Sequence, residues 1–321
     1  MNDAHRACTA AHVHTIHSAH QHLDWNNARA PALRIAPGDT VDFRDMDAMC
    51  GQITAQSRVE ALSSLDFGRV NPISGPVYVD GAEPGDTLKV TLVGFDPAGW
   101  GWTGVIPGFG LLAEDFPQPA LHIWSYERSF GAPAAFGRFA RVPLRPFCGT
   151  TGVAPKAPGG HSTIPPYATG GNMDIRDLSE GVELFLPVEV EGALYSIGDP
   201  HAAQGDGEVC GTAIESPMSV QVKIDLVKGG NLQFPRFTCP KPVTRHLDGR
   251  GYEVTTGIAP DLMAASKHAV RGMIDLLGRL HGLRAEDAYM LCSVCADLRI
   301  SEIVDRPNWV VAMYMPRAVF D

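Results

Sequence analysis

Pro84-Gly85-Asp86-Thr87 leads into Leu88-Lys89-Val90-Thr91-Leu92, and the same turn stands earlier, where Pro37-Gly38-Asp39-Thr40 leads into Val41-Asp42-Phe43. In each, Pro fixes φ, Gly takes the positive φ of a type II turn, and a β-branched Thr opens an alternating strand. A third entry, Glu180-Gly181, precedes the run from Val182 to Val190. Such units, in a chain whose 34 Gly and 25 Pro punctuate short apolar stretches, predict a body of many strands.

Working outward, Trp309 to Met315 reads as a further strand. Residues 94–172 carry Trp100-Gly101-Trp102, Ile106-Pro107-Gly108-Phe109-Gly110 and the Gly- and Pro-punctuated segment Thr151 to Pro166, and are expected to be mostly loop of the kind that builds sites. A helix is expected over Asp261 to Leu280, where Leu262, Met263, Val270, Met273, Ile274, Leu277 and Leu280 recur at helical spacing, Asp261 caps and Gly282 follows. A second is expected over Ala285 to Ala296. Because the helices follow most of the strands, the class is α+β: β-rich, with sandwich- or barrel-like strands and helices segregated toward the C-terminal part.

The 321 residues suit one large or two ordinary domains. The expected organisation is a flexible His-containing N-terminus over 1–20 and a single domain over 21–321, with a possible division into 21–228 and 229–321. Basic side chains number 26 against 36 acidic, a net charge of −10, which argues against nucleic acid or an anionic membrane as partner and for a small ligand. No apolar run approaches the roughly 20 residues of a membrane span, and Met1 to Ala11 has no signal-peptide character. Seven scattered cysteines, an odd number, point to free thiols and a cytoplasmic setting. Cys292 and Cys295, on a predicted helix with Leu291 and Val294, read as buried thiols rather than a redox or zinc pair.

There is no Gly-Lys pair for a P-loop, no His-Glu-x-x-His, and no Gly-x-Ser-x-Gly nucleophile elbow. What stands out is the block from Gly198 to Thr212, where Asp199, His201, Gln204, Asp206 and Glu208 are separated by residues too small to bury them. Asp199 and His201 alternate on an extended segment and so share a face. Two donors there can meet one divalent ion while a nearby carboxylate serves an activated water. A polar hairpin turn at Asp206-Gly207 explains the same spacing, and both readings stay open. Gly170-Gly171-Asn172-Met173-Asp174 is a second polar knot: its glycines allow close backbone approach to a ligand, and Asn172 and Asp174 can point to one side, but a helix or turn cap by Asn172 or Asp174 is the favoured reading of these residues by themselves. His5, His12, His14, His17, His20 and His22 crowd the amino terminus, where only His20 and His22, beside Leu23 and Trp25, are expected to be ordered.

At these residues the chain resembles the acetamidase/formamidase family. The likeness runs from about His20 to the end, through His22-Leu23-Asp24-Trp25, Gly75-Pro76-Val77-Tyr78-Val79, Ile106 to Gly110, Pro143-Leu144-Arg145-Pro146-Phe147, Gly152-Val153-Ala154-Pro155, Gly170 to Asp174, the Gly198 to Glu215 block and Asp297-Leu298-Arg299-Ile300-Ser301. Asn26 and Met49-Cys50 depart from the family pattern, which bears on substrate range. The resemblance implies a soluble homo-oligomeric enzyme that hydrolyses short aliphatic amides such as formamide and acetamide to carboxylate and ammonia with a metal-activated water. In that picture Asp174, Asp199 and His201 hold a divalent metal, most simply Zn²⁺, with Glu208 the general base beside His201. His22, Asp47, Gln52 and Asn172 contact the substrate or support those that do, and Trp102 and Phe109 form a tight apolar wall admitting one or two acyl carbons. Hydrolysis of a γ-lactam or other small cyclic amide is the alternative within the same chemistry. A non-catalytic β protein that binds a metal or small ligand is the alternative outside it.

Overall fold

The computed structural model describes residues 12–320. Strands make up 38% of the described residues and helix 16%, and the long helices, Leu262–His281 and Ala285–Cys295, lie in the carboxyl-terminal part, so the β-rich α+β class holds. The sheets stay open rather than closing into a barrel.

The two matching turns do matching work. Gly38 and Gly85 take φ of 99° and 93°, and the strands Thr40–Met46 and Thr87–Pro97 begin at their threonines. Each turn's Asp accepts from the backbone N–H three residues back: Ala36 to Asp39 at 3.2 Å, Glu83 to Asp86 at 2.9 Å. Each also ties down a neighbouring segment, Asp39 through the His12 N–H and Asp86 through the Gly229 N–H, both at 2.9 Å. Desolvation opposes the charged form of both acids, but these bonds, with the Lys228 ammonium beside Asp86 and the His14 ring beside Asp39, hold both below the usual range.

Both strands belong to a six-stranded sheet, in the order Val13–Ile16, Thr40–Met46, Met218–Val227, Thr87–Pro97, Glu183–Pro187, Arg236–Thr238. A seven-stranded sheet runs Pro166–Tyr167, Gly170–Asn172, Phe147–Val153, Tyr195–His201, Ile73–Val79, Gln21–His22, with Leu33–Ile35 also paired to Ile73–Val79. Apolar side chains of both, among them Val41, Phe43 and Leu184 from the first and Val77, Val153 and Ile197 from the second, share one buried core. The pair is therefore a sandwich.

A second core lies between the helices and the antiparallel strands Tyr252–Ala259, Trp309–Pro316 and Asp297–Glu302. Asp261 caps the long helix by accepting from the Ala264 N–H at 2.8 Å, and Gly282 ends it at φ 68°. The shorter helix buries Ala288 through Cys295 without a polar face. It is an internal column, and burial pushes the thiols of Cys292 and Cys295 up, as befits free structural cysteines. Among the described residues no helix is long and apolar enough to cross a membrane.

Residues 94–172 are mostly outside strands, as expected, with 43 of the 79 in turns and irregular segments, but they also contain the hairpin Trp100–Val105 with Ala120–Ser125 and the strand Phe147–Val153. Their glycines look like loop punctuation but serve close backbone contact. A Cβ on Gly101 would stand 2.7 Å from the Glu215 carbonyl. Of the segment expected to be flexible over 1–20, residues 1–11, with His5, lie outside the described residues, and in the remainder Val13–Ile16 pairs in parallel with Thr40–Met46 and His14 meets Asp39 at 2.9 Å.

Candidate active site

The central strand Tyr195–His201 pairs on one side with Phe147–Val153, which in turn pairs with Gly170–Asn172. Thr150 stands opposite both Gly198 and Asn172. Just past Asn172 the chain turns in, the N–H groups of Met173 and Asp174 both reaching the Gly149 carbonyl at 3.0 and 3.2 Å. Neighbouring strand ends thus bring Asp174 beside Asp199 and His201, although sequence separates them by some 25 residues.

Ligand atoms of Asp174, Asp199 and His201 lie within 4.8 Å of one another, and so do those of His201, Glu208 and Glu215. His201 Nε2 sits 3.2 Å from Asp199 Oδ1 and 3.1 Å from Glu215 Oε2. Its Nδ1 lies 3.0 Å from Gln204 Oε1, which fixes the tautomer with the proton on Nδ1 and leaves Nε2 to face the carboxylates. The Gln204 amide donates in turn to the Asp174 carbonyl at 2.8 Å, and the Phe147 ring stands edge-on to the imidazole at 5.0 Å.

The backbone is bent to achieve this. Asp174, Asp199 and Glu208 have φ of 49°, 55° and 41°. A non-glycine residue there costs on the order of 1–3 kcal/mol and persists only where its surroundings enforce it. The alternation argument for Asp199 and His201 is accordingly corrected: a left-handed kink at Asp199, rather than a regular strand, turns the two donors together. Gly149 makes room for them, since a Cβ on it would meet Asp174 Oδ1 at 2.3 Å, Asp199 Oδ2 at 2.6 Å and His201 Cε1 at 3.0 Å.

Four carboxylates around one imidazole is an unbalanced charge. Burial, then repulsion from Asp199, pushes Asp174 up to about 7, and burial with neighbouring acids raises Glu208 and Glu215. Burial alone would lower His201, but Glu215 and Asp199 outweigh it and hold the ring well above its ordinary value. Asp174 Oδ1, His201 Nε2 and Glu215 Oε2 are buried and, although Nε2 and Oε2 lie 3.1 Å apart, none makes a well-directed hydrogen bond. Buried polar atoms are ordinarily paired, so three converging orphans mark the place where a cation fits, and carboxylate oxygen with imidazole nitrogen is a donor set suited to a divalent ion.

Asp199, Glu208 and Glu215 open onto a cavity of about 240 Å³, which Asn172 and Phe109 also line. Thr150 Oγ1 lies 2.5 Å from Asn172 Oδ1 and 3.2 Å from Asn71 Oδ1, and its one hydrogen goes to the nearer, Asn172, setting that amide's orientation. The remaining expected contacts lie outside the lining. His22 is buried against the sandwich, Nδ1 2.9 Å from the Asp24 carbonyl and Nε2 3.3 Å from Ser196 Oγ. Asp47 closes its own turn through the N–H groups of Met49 and Gly51 at 3.0 and 2.6 Å. Gln52 pairs with the Asp66 backbone at 2.8 and 3.2 Å. Trp102 is buried with Ile53, Leu62 and Ile106, and its backbone N–H and carbonyl bond Glu215 at 2.8 and 2.9 Å, so it positions an acid instead of walling a pocket.

Glu215 and Asn71 are site residues the sequence reading misses, and Gln204, part of the polar block, has no role assigned there. The one available signal for Glu215 was an acid set between Ile214 and Ser216-Pro217, where a solvent-facing residue is out of place. The segment carrying Gln204 to Glu215 is held from behind by the internal helix: Gly205 N–H donates to the Ser293 carbonyl at 2.8 Å, Ser293 Oγ to the Thr212 carbonyl at 2.7 Å, and Tyr289 accepts from the Leu112 N–H at 2.8 Å while donating to the Val209 carbonyl.

The model of the Acetamidase/Formamidase family matches residues 10–158 and 156–321. A formamidase of Methylophilus methylotrophus is 28% identical over 368 aligned positions, covering 94% of this chain and 89% of the relative. An acetamidase of Mycolicibacterium smegmatis is 30% identical over 65% of this chain and 66% of its own length. Among solved structures, a gamma lactamase from Delftia acidovorans superposes with a TM-score of 0.87 at 28% identity, covering 94% of this chain and 90% of the other. An acetamidase from Bacillus halodurans superposes with a TM-score of 0.67 at 31% identity, covering 94% and 96%.

Proposed function

The chain belongs to the acetamidase/formamidase family, and from that premise we propose that it hydrolyses the carbon–nitrogen bond of linear amides to carboxylate and ammonia, with Asp174, Asp199 and His201 holding a divalent cation. The observation that carries this reading is the convergence of Asp174 Oδ1, His201 Nε2 and Glu215 Oε2, buried without a well-directed hydrogen bond beside the cavity. When bound, the cation, Zn²⁺ in this reading, supplies Lewis-acid activation of water and of the amide oxygen.

The chain's own groups do the rest. Gln204 keeps the His201 proton on Nδ1, so Nε2 stays a ligand. Burial raises Glu208 on the cavity wall and so makes its carboxylate a stronger base. The ionised carboxylate takes a proton from the attacking water and, now a carboxyl, gives it to the amide nitrogen, which departs only once protonated. Asn172, its orientation fixed by Thr150, lines the same cavity and offers an amide N–H to the substrate. A cytoplasmic setting, supported by six free thiols among the described residues, and a homo-oligomeric state, supported by the family resemblance, belong to the same proposal.

The test is elemental analysis of purified protein coupled to ammonia release from formamide and acetamide before and after chelation. Expected is a co-purifying divalent metal, loss of ammonia release on chelation, and recovery on adding it back. Full turnover by metal-free protein, or metal-loaded protein that releases no ammonia, defeats the reading. A second reading is favoured by the 0.87 superposition on the gamma lactamase: opening of a γ-lactam ring by the same groups. It predicts that 2-pyrrolidone yields an amino acid without ammonia.

A further inference from the structure

We propose that this site selects primary amides whose apolar acyl substituent has about four to six carbons, as a straight chain or a ring, over formamide and acetamide. The inference rests on the amide-hydrolase reading above and concerns which amide fits.

The cavity has two unlike parts. Asp199, Glu208, Glu215, Asn71 and Asn172 bring its polar groups together at the carboxylate cluster. The rest is wall without chemistry: Met49, Phe67, Val70, Ile106, Phe109 and Ile164. Phe67 is 57% exposed, Phe109 43% and Ile164 41%, three large apolar side chains from three separate segments left at one cavity's edge. Exposed apolar groups gathered at a concave site mark a surface that an apolar ligand covers. Trp102 stands behind this wall, packed with Ile106 and Met49, and is not itself part of the lining.

Volume gives the size. An apolar cavity of about 150 Å³ holds benzene, so each heavy atom needs about 25 Å³, and a water claims about 30 Å³. A cavity of about 240 Å³, less one water, therefore takes about eight heavy atoms, by the same scale. Three are the amide's own carbon, oxygen and nitrogen, and about five remain for the substituent. Formamide would leave the whole apolar wall against water. Each buried methylene should favour binding by about fourfold, provided the wall contacts the chain in the transition state.

The experiment measures kcat/KM by ammonia release for the metal-loaded protein on formamide, acetamide, butyramide, hexanamide, benzamide and decanamide. Expected is a rise on the order of 10²-fold from acetamide to hexanamide and a fall at decanamide. Ile164→Asp at the cavity edge should lower the hexanamide-to-acetamide ratio about tenfold, and Ala48→Leu, which adds bulk to the lining, should move the optimum to a shorter chain. If ammonia is released but kcat/KM declines steadily from formamide upward, the size inference is overturned and the amide-hydrolase reading stands. If no amide in the series releases ammonia, both fall.

Discussion

The segments around Asp174 and around Glu208 each serve two charge clusters, and the two clusters differ in kind. Arg176 lies two residues past Asp174 and Asp206 two before Glu208. Arg176 pairs with the fully buried Asp297, bonding its Oδ2 at 2.9 Å, and stands 3.2 Å from Asp206, while Arg299 reaches Asp297 at 2.8 Å. Two guanidinium groups face two carboxylates, so the charges match. A few residues along the same segments, four carboxylates face one imidazole and three buried atoms lack a well-directed hydrogen bond. The first cluster balances its charges within the chain, although Arg176 Nε and Nη1 also lack a hydrogen-bond partner. The second is left with an excess of negative charge, which is what the proposed cation would offset.

The largest expected effect tests the matched side. Arg176→Leu leaves Asp297 buried and poorly compensated, and breaking a buried pair in this way costs about 3–5 kcal/mol. Urea unfolding of the variant should show that loss, and a change below about 1 kcal/mol would mean the pair contributes nothing that water could not.

Two buried histidines sharpen the contrast. His201, ringed by acids, is raised, whereas burial, opposed by its bond to the Asp24 carbonyl, takes His22 down to about 4 from 6.5. For His22 the unfolded chain binds the proton between those values and the folded one does not. Stability is therefore intact above pH 6.5 and falls as pH drops toward 4. A shift of 6.5 − 4 at 1.36 kcal/mol per unit corresponds to roughly 3 kcal/mol lost in that window. His22→Asn should flatten the pH dependence of unfolding between 4 and 6.5 relative to the parent. An unchanged slope would show that His22 is not buried as described.

Next in size is the chemistry of the unmatched cluster. His201→Ala should lower turnover on the order of 10²-fold and reduce metal content, while Glu208→Gln should lose turnover and keep the metal. Full occupancy and near-normal rate in His201→Ala would move the site elsewhere. The smallest effect is the most discriminating. In chelated protein Asp174→Asn removes one of four crowded acids, and Asn tolerates a φ of 49°, so unfolding free energy should rise by about 1 kcal/mol although activity falls. A loss of stability there would contradict the idea that the acids repel one another until a cation joins them.

What the sequence disclosed follows the reach of each signal. The turn at Pro84-Gly85-Asp86-Thr87, the helix capped by Asp261 and ended at Gly282, and the polar block at Asp199 and His201 are local patterns, and each appears in the fold where it was expected. Signals that depend on a distant partner were mute or misleading. Gly101 reads as a loop residue until the Glu215 carbonyl is known to lie against it. Trp102 reads as a pocket wall until its backbone is found bonded to Glu215. Gln204 became a site residue only when a histidine three positions earlier turned its ring toward it. His22 and Gln52 stand in quotable motifs yet secure backbone, because a motif marks constraint without saying whether packing or chemistry imposes it.

The internal helix Ala285–Cys295 carries a consequence for how the molecule is made. Every residue of the carboxylate cluster has left the ribosome once Glu215 has, but the Ser293 and Tyr289 bonds that hold Gly205, Val209 and Thr212 arise some eighty residues later. Until then Asp199 and Glu208 stand on a segment without the helix that backs it in the folded protein. The order of synthesis therefore separates the appearance of the reactive groups from their assembly, and a chain released early, with all its acids in place, would be inert.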